Sequence, residues 1–80
     1  MNIMVRLKNI VINDGIASAD FFPEDSDVGG HLVVDLGSRD IVALDNASGF
    51  GLTYSNHAAL QLIRMARTND HRTECVSIWY

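Results

Sequence analysis

The chain predicts an α+β fold: a four-stranded antiparallel meander, one helix packed on one sheet face, and a C-terminal fifth strand. Three observations predict it. Runs rich in Val, Ile and Phe follow one another between Met4 and Asp45, separated by short segments of Asn, Asp, Gly and Ser. One stretch, Ser55 to Thr68, carries Ala59, Leu62, Ile63 and Ala66 at helical spacing. The 80 residues suffice for one sheet and one or two helices around one core, so residues 1–80 read as a single domain.

Strand one spans Met4–Ile12 and strand two Ile16–Phe22, with Asn13-Asp14-Gly15 between them. A three-residue hairpin loop wants a left-handed residue at its end, and Gly15 supplies it. Ile12 then faces Ile16, Val11 faces Ala17, Leu7 faces Phe21 and Lys8 faces Asp20. The apolar pairs share one face and the ion pair takes the other. A two-residue Asp14-Gly15 loop would set Val11 against Ser18 and mix the faces, so the pattern selects the longer loop.

Pro23 to Gly30 is a loop by composition. Strand three is His31–Leu36, Gly37 to Asp40 turns the chain, and strand four is Ile41–Asp45. Leu32, Val34 and Leu36 share a face with Val42 and Leu44, which leaves His31, Val33, Asp35, Ile41 and Asp45 opposite. Asn46–Gly51 is a second loop, and Ser55 is a good N-cap. His57, Gln61 and Arg64 fall on the far side of the helix from its apolar stripe. Asn69-Asp70 ends the helix. The last strand, about Glu74–Tyr80, is expected beside strand one. Trp79 and Tyr80 argue that it is docked, because chain ends otherwise fray.

Composition bounds the function classes. Hydrophobic residues at 48% and charged residues at 20% are ordinary globular usage, which excludes disorder. The one cysteine, Cys75, allows no internal disulfide and fits a reducing cytoplasm. No apolar run approaches the ~18 residues of a membrane span. The N-terminus shows neither a signal-peptide apolar region nor a cleavage site. Net charge is −4, concentrated in residues 14–45, where eight acids stand against Arg39 alone. Such a surface repels phosphate backbones and favours basic partners, which argues against direct nucleic-acid binding.

The uncovered sheet face has two readings. One is a solvated antiparallel face with scattered apolar residues. The other is an interface with an apolar centre and an acidic rim, built from Asp20, Phe22, Val33, Asp35 and Asp45 with Glu24, Asp25 and Asp27 of the following loop.

Catalytic and metal constellations fit poorly. Asp25-x-Asp27 opens like a calcium loop, but the closing Glu is missing, since twelve-residue counting lands on Leu36. His31, His57, His71 and Cys75 lack zinc-ligand spacing. No Gly-x-Ser-x-Gly occurs, Cys75 reads as a small buried residue, and Gly49-x-Gly51 lacks the Lys and Ser/Thr of a phosphate loop. Arg64, Arg67 and Arg72 form at most a short basic strip without interleaved aromatics. No enzyme and no cofactor is expected.

Phe22-Pro23-Glu24-Asp25-Ser26, Gly30-His31-Leu32 and the terminal Ile78-Trp79-Tyr80 resemble a group of small bacterial and prophage proteins. In these an aromatic-Pro-Glu-Asp-Ser loop joins two strands and the chain stops at Trp-Tyr. The group has no assigned activity, so the resemblance implies mobile-element context and carries over no catalytic residue. By size and acidity alone the chain is similar to anti-CRISPR proteins and other phage inhibitors, an analogy of class. The expectation is a cytoplasmic, non-enzymatic inhibitor that blocks a larger, nucleic-acid-binding protein complex with its acidic surface. The alternative is a small homo-oligomeric module, a homodimer through the last strand or the outer sheet face.

Overall fold

The structure, a computed structural model, describes residues 3–79. Five strands and one helix follow in the order β1 (Ile3–Asn13), β2 (Ile16–Pro23), β3 (Gly30–Asp35), β4 (Asp40–Asp45), α1 (Leu52–Arg67) and β5 (Cys75–Trp79). They form one antiparallel sheet of order β4-β3-β2-β1-β5, with the helix on one face. The meander and the place of the last strand beside the first are as the sequence predicts. Tyr80, expected in β5, lies outside the described residues.

The first hairpin departs from expectation. Asn13 pairs with Ile16 across a two-residue Asp14-Gly15 loop, and Val11 does face Ser18. Asp14 (φ 51°) and Gly15 (φ 81°) are both left-handed, as a twisted two-residue turn requires. The pairing then shifts by one residue between Lys8 and Val11, so that Lys8 faces Asp20 and Leu7 faces Phe21. Asn9 (φ 53°) sits at this bulge. The extra residue turns Ile10 into the core and leaves Val11 exposed.

A second bulge corrects the faces of β4. Leu44 pairs with Leu32 and Ile41 with Val34, with a register shift between. Ile41 therefore packs against the core instead of joining the outer face, and Val42 is exposed instead of inward.

The helix starts at Leu52, with Gly51 as N-cap. Ser55 is no cap: it is buried inside the helix and its Oγ donates to the Leu52 carbonyl at 2.9 Å. The buried face runs through Ser55, Ala58, Ala59, Gln61, Leu62 and Met65. Gln61, expected on the far side, reaches β5, accepting from Ser77 Oγ at 3.2 Å and donating to Cys75 Sγ at 3.8 Å. His57, expected there too, is half-buried with its ring 4.5 Å from that of Trp79. The C-terminus closes with Asn69 left-handed and Asp70 N–H donating to the Met65 carbonyl at 2.9 Å.

The core joins Val5, Leu7, Phe21, Leu32 and Val34 of the sheet to Leu62 and Met65 of the helix. Ala17 and Ala19 of β2 and Ala58 and Ala59 of α1 are buried too, and such small residues let a helix lie close to its sheet. No described helix is long and apolar enough to cross a membrane.

Candidate functional site

The register writes the outer sheet face as rows running across the strands. One row is Val11, Ser18, Val33 and Ala43. The next is Lys8, Asp20, His31 and Asp45. Beyond it, Val76, Arg6 and Phe22 align, and then Ile78 and Met4. Val11, Val76 and Ile78 are 57%, 56% and 50% exposed. A solvated antiparallel face normally alternates apolar-in with polar-out. This one carries apolar side chains on both sides of a charged row, Val11 and Val33 on one side and Val76, Phe22 and Ile78, with Arg6 among them, on the other.

The eight residues expected to form a binding face divide between the outer sheet face and the β2–β3 loop. Asp20, Phe22, Val33, Asp35 and Asp45 do share the outer face. Asp20 accepts from Asn9 Nδ2 at 2.8 Å and stands 2.8 Å from His31 Nδ1. These bonds, that from Asn9 first, hold its carboxyl below the usual aspartate value. Phe22 lies under two cations, with Arg6 and Lys8 at 5.5 and 5.7 Å from its ring centroid. Asp35 Oδ1 accepts from the N–H groups of Gly37 and Ser38 at 2.9 and 3.3 Å, which fastens the β3–β4 turn. Val33 is half-buried and Asp45 exposed.

Glu24 is drawn away from that face. Its Oε2 accepts from Met4 N–H and from Tyr54 Oη, each at 2.9 Å. Its backbone N–H donates to the Met4 carbonyl, and its carbonyl accepts from Arg6 Nε. Its φ is 53°, left-handed without being glycine. Glu24 thus clasps β1, the loop and the first turn of α1 together. The Tyr54 phenol is raised above its ordinary pKa, first by donating to that carboxylate. Asp25 and Asp27 stay exposed in the loop. The usable acidic rim is therefore Asp25, Asp27 and Asp45.

The opposite surface carries a feature the sequence left scattered. Arg39, Arg64 and Arg67 line one open groove with Leu60, Ile63 and Trp79. The Arg64 guanidinium lies 5.0 Å from the Trp79 ring centroid. Arg72, expected in this strip, instead forks onto Asp70 at 2.6–3.0 Å. Arg64 and Arg67 stand in the last helical turn, where cations complement the helix dipole. Their placement has that structural cause.

Among the described residues no group of three His, Cys, Asp or Glu side chains could hold a metal ion. Cys75 is buried, and burial raises its thiol pKa, which suits a packed side chain rather than a nucleophile. No protein-family model, curated protein or solved structure matches the chain.

Proposed function

We propose that this chain is a non-enzymatic protein-binding module whose outer sheet face covers a basic surface of a larger partner. One observation carries the reading. The Val11–Ser18–Val33–Ala43 row lies uncovered on a sheet whose other face is filled by α1. Apolar centres with polar rims are the anatomy of protein interfaces. The rim here is acidic at Asp45, in the row beside it, with Asp25 and Asp27 further along in the β2–β3 loop. An acidic rim selects partners with basic grooves, and proteins that handle nucleic acid present such grooves. The module acts as a competitive inhibitor of that kind, in the manner of small acidic phage proteins.

The test uses two surfaces of one protein. Immobilised chain captures partners from lysate, alongside Val33→Lys/Asp45→Lys and Arg64→Ala/Arg67→Ala variants. Both variants leave the buried core untouched. Loss of one nucleic-acid-handling partner with the outer-face variant, and retention with the helix variant, supports the reading. Equal capture by both variants refutes it. Asp35 is not reversed, because its carboxylate fastens its own turn.

A further inference from the structure

An open sheet has two edges, and a folded protein must keep each from pairing with whatever strand it meets. The two edges of this sheet are treated differently. The β4 edge is blunted: it begins at Asp40 and ends at Asp45, it is bulged between Ile41 and Ala43, and it follows Arg39 in a left-handed conformation. Charge and a bulge are the usual defences.

The β5 edge has neither. Cys75-Val76-Ser77-Ile78-Trp79 contains no charged residue, no proline and no glycine. It pairs with β1 along its whole length without a register shift, so it is a regular strand. Among the described residues it has no other strand partner. Its inner side is tied down: Cys75 and Ser77 are buried against Gln61, and Trp79 stacks on His57. Its outer side shows Val76 and Ile78, each at least half exposed. A regular, apolar, uncharged edge with an open row of backbone groups is a pairing template.

From this asymmetry we infer that β5 pairs antiparallel with β5 of a second copy of this chain, across a two-fold axis at Ser77. The register argues for the second copy as occupant. About Ser77, Val76 of one copy faces Ile78 of the other, and Cys75 faces Trp79. Each contact is made twice, as a two-fold interface requires. Directly opposite side chains in antiparallel strands touch, so the exposed Val76 and Ile78 cover one another. The two sheets of order β4-β3-β2-β1-β5 become one continuous sheet, with the blunted β4 edges outermost. That last point makes the arrangement closed: it stops at two copies. The inference does not depend on the partner proposed above, because it uses the β5 edge and not the Val33 row.

The test is solution mass, by light scattering or sedimentation, from micromolar to millimolar chain. The wild type is expected to rise from 8.8 kDa towards twice that value. The Val76→Lys/Ile78→Lys variant sets lysine against lysine and is expected to associate at least roughly thirtyfold more weakly. The Val76→Glu/Ile78→Glu variant is expected to be monomeric alone for the same reason. An equimolar mixture of the two is expected to recover the dimer mass, because each lysine then faces a glutamate. Val11→Lys, on the outer face away from β5, is expected to leave the dimer intact. Urea midpoints check that each variant is folded. A wild type that stays at monomer mass overturns the inference. So does a dimer that survives the lysine pair, or one that Val11→Lys disrupts.

Discussion

Glu24 offers the sharpest check on how the loop end of this fold is held. In Glu24→Ala, the Met4 N–H and the Tyr54 hydroxyl both lose a carboxylate acceptor. Bonds to a charged group contribute about 1.5–3 kcal/mol each, and these are only partly buried, so a loss of about 3 kcal/mol is expected. A chain of this length has a total stability of roughly 4–12 kcal/mol. Glu24→Gln keeps an acceptor oxygen without the charge and should lose about half as much. Glu24→Gly separates the side chain from the backbone. It loses the same two bonds, but it sheds the ~1–2 kcal/mol cost of a left-handed residue. Against that gain, glycine costs about 0.5–1 kcal/mol in chain entropy. Glycine should therefore be the milder of the two deletions, by about half a kcal/mol to one. Urea unfolding reads all three, with the slope unchanged. A second readout is independent of stability: the Tyr54 phenol, held up by the carboxylate, should titrate closer to its ordinary value in Glu24→Gln. A Glu24→Ala protein within ~0.5 kcal/mol of wild type, the range of an ordinary surface change, would refute the clasp. An unmoved Tyr54 titration would do the same.

Three further outcomes are expected. Asn9→Val should cost about 2–3 kcal/mol, because a β-branched residue resists the left-handed bulge and the bond to Asp20 is lost, whereas Asn9→Gly should stay within about 1 kcal/mol of wild type. Asp20 has a lowered pKa, so its contribution is present above the unfolded value near pH ~4 and is lost as pH falls through the folded value. Stability measured between neutral and acid pH should accordingly fall less in Asp20→Asn than in wild type. Leu62→Ala, at a fully buried helix position, should cost about 2–5 kcal/mol in thermal or urea unfolding.

The sheet was legible because a period of two carries far along a strand. Alternation together with the count of residues between Ile12 and Ile16 sets Leu7 against Phe21 and Lys8 against Asp20, as they stand in the sheet. The turn is ambiguous in the sequence for a definite reason. A two-residue loop plus one bulged residue gives the same pairing beyond the bulge as a three-residue loop with none. Pairs beyond the bulge cannot tell these apart; only those next to the turn can, Val11 against Ser18, Ile12 against Ala17 and Asn13 against Ile16. The available signals were Asp14-Gly15, a strong two-residue turn, and Asn9, one of the few residues that tolerates the left-handed region. The helix face was displaced for a different reason. Gln61 and Ser77 satisfy each other in the interior, and a mutually bonded polar pair leaves no mark in a hydrophobic pattern.

Acidity was legible as a count and not as a surface. Eight acids in residues 14–45 suggest a negative face. Three of them do internal work: Glu24 fastens the helix, Asp20 braces the Asn9 bulge and Asp35 fastens a turn. Carboxylates already accepting two hydrogen bonds have little to offer a partner without breaking those bonds. What is left for recognition is a few exposed aspartates around an apolar row. Charges of that number steer encounter, while the apolar row supplies the contact area. The candidate surface is thus better described by Val11, Val33 and Ala43 than by net charge, and the charge distribution reads first as a record of how the loops are held.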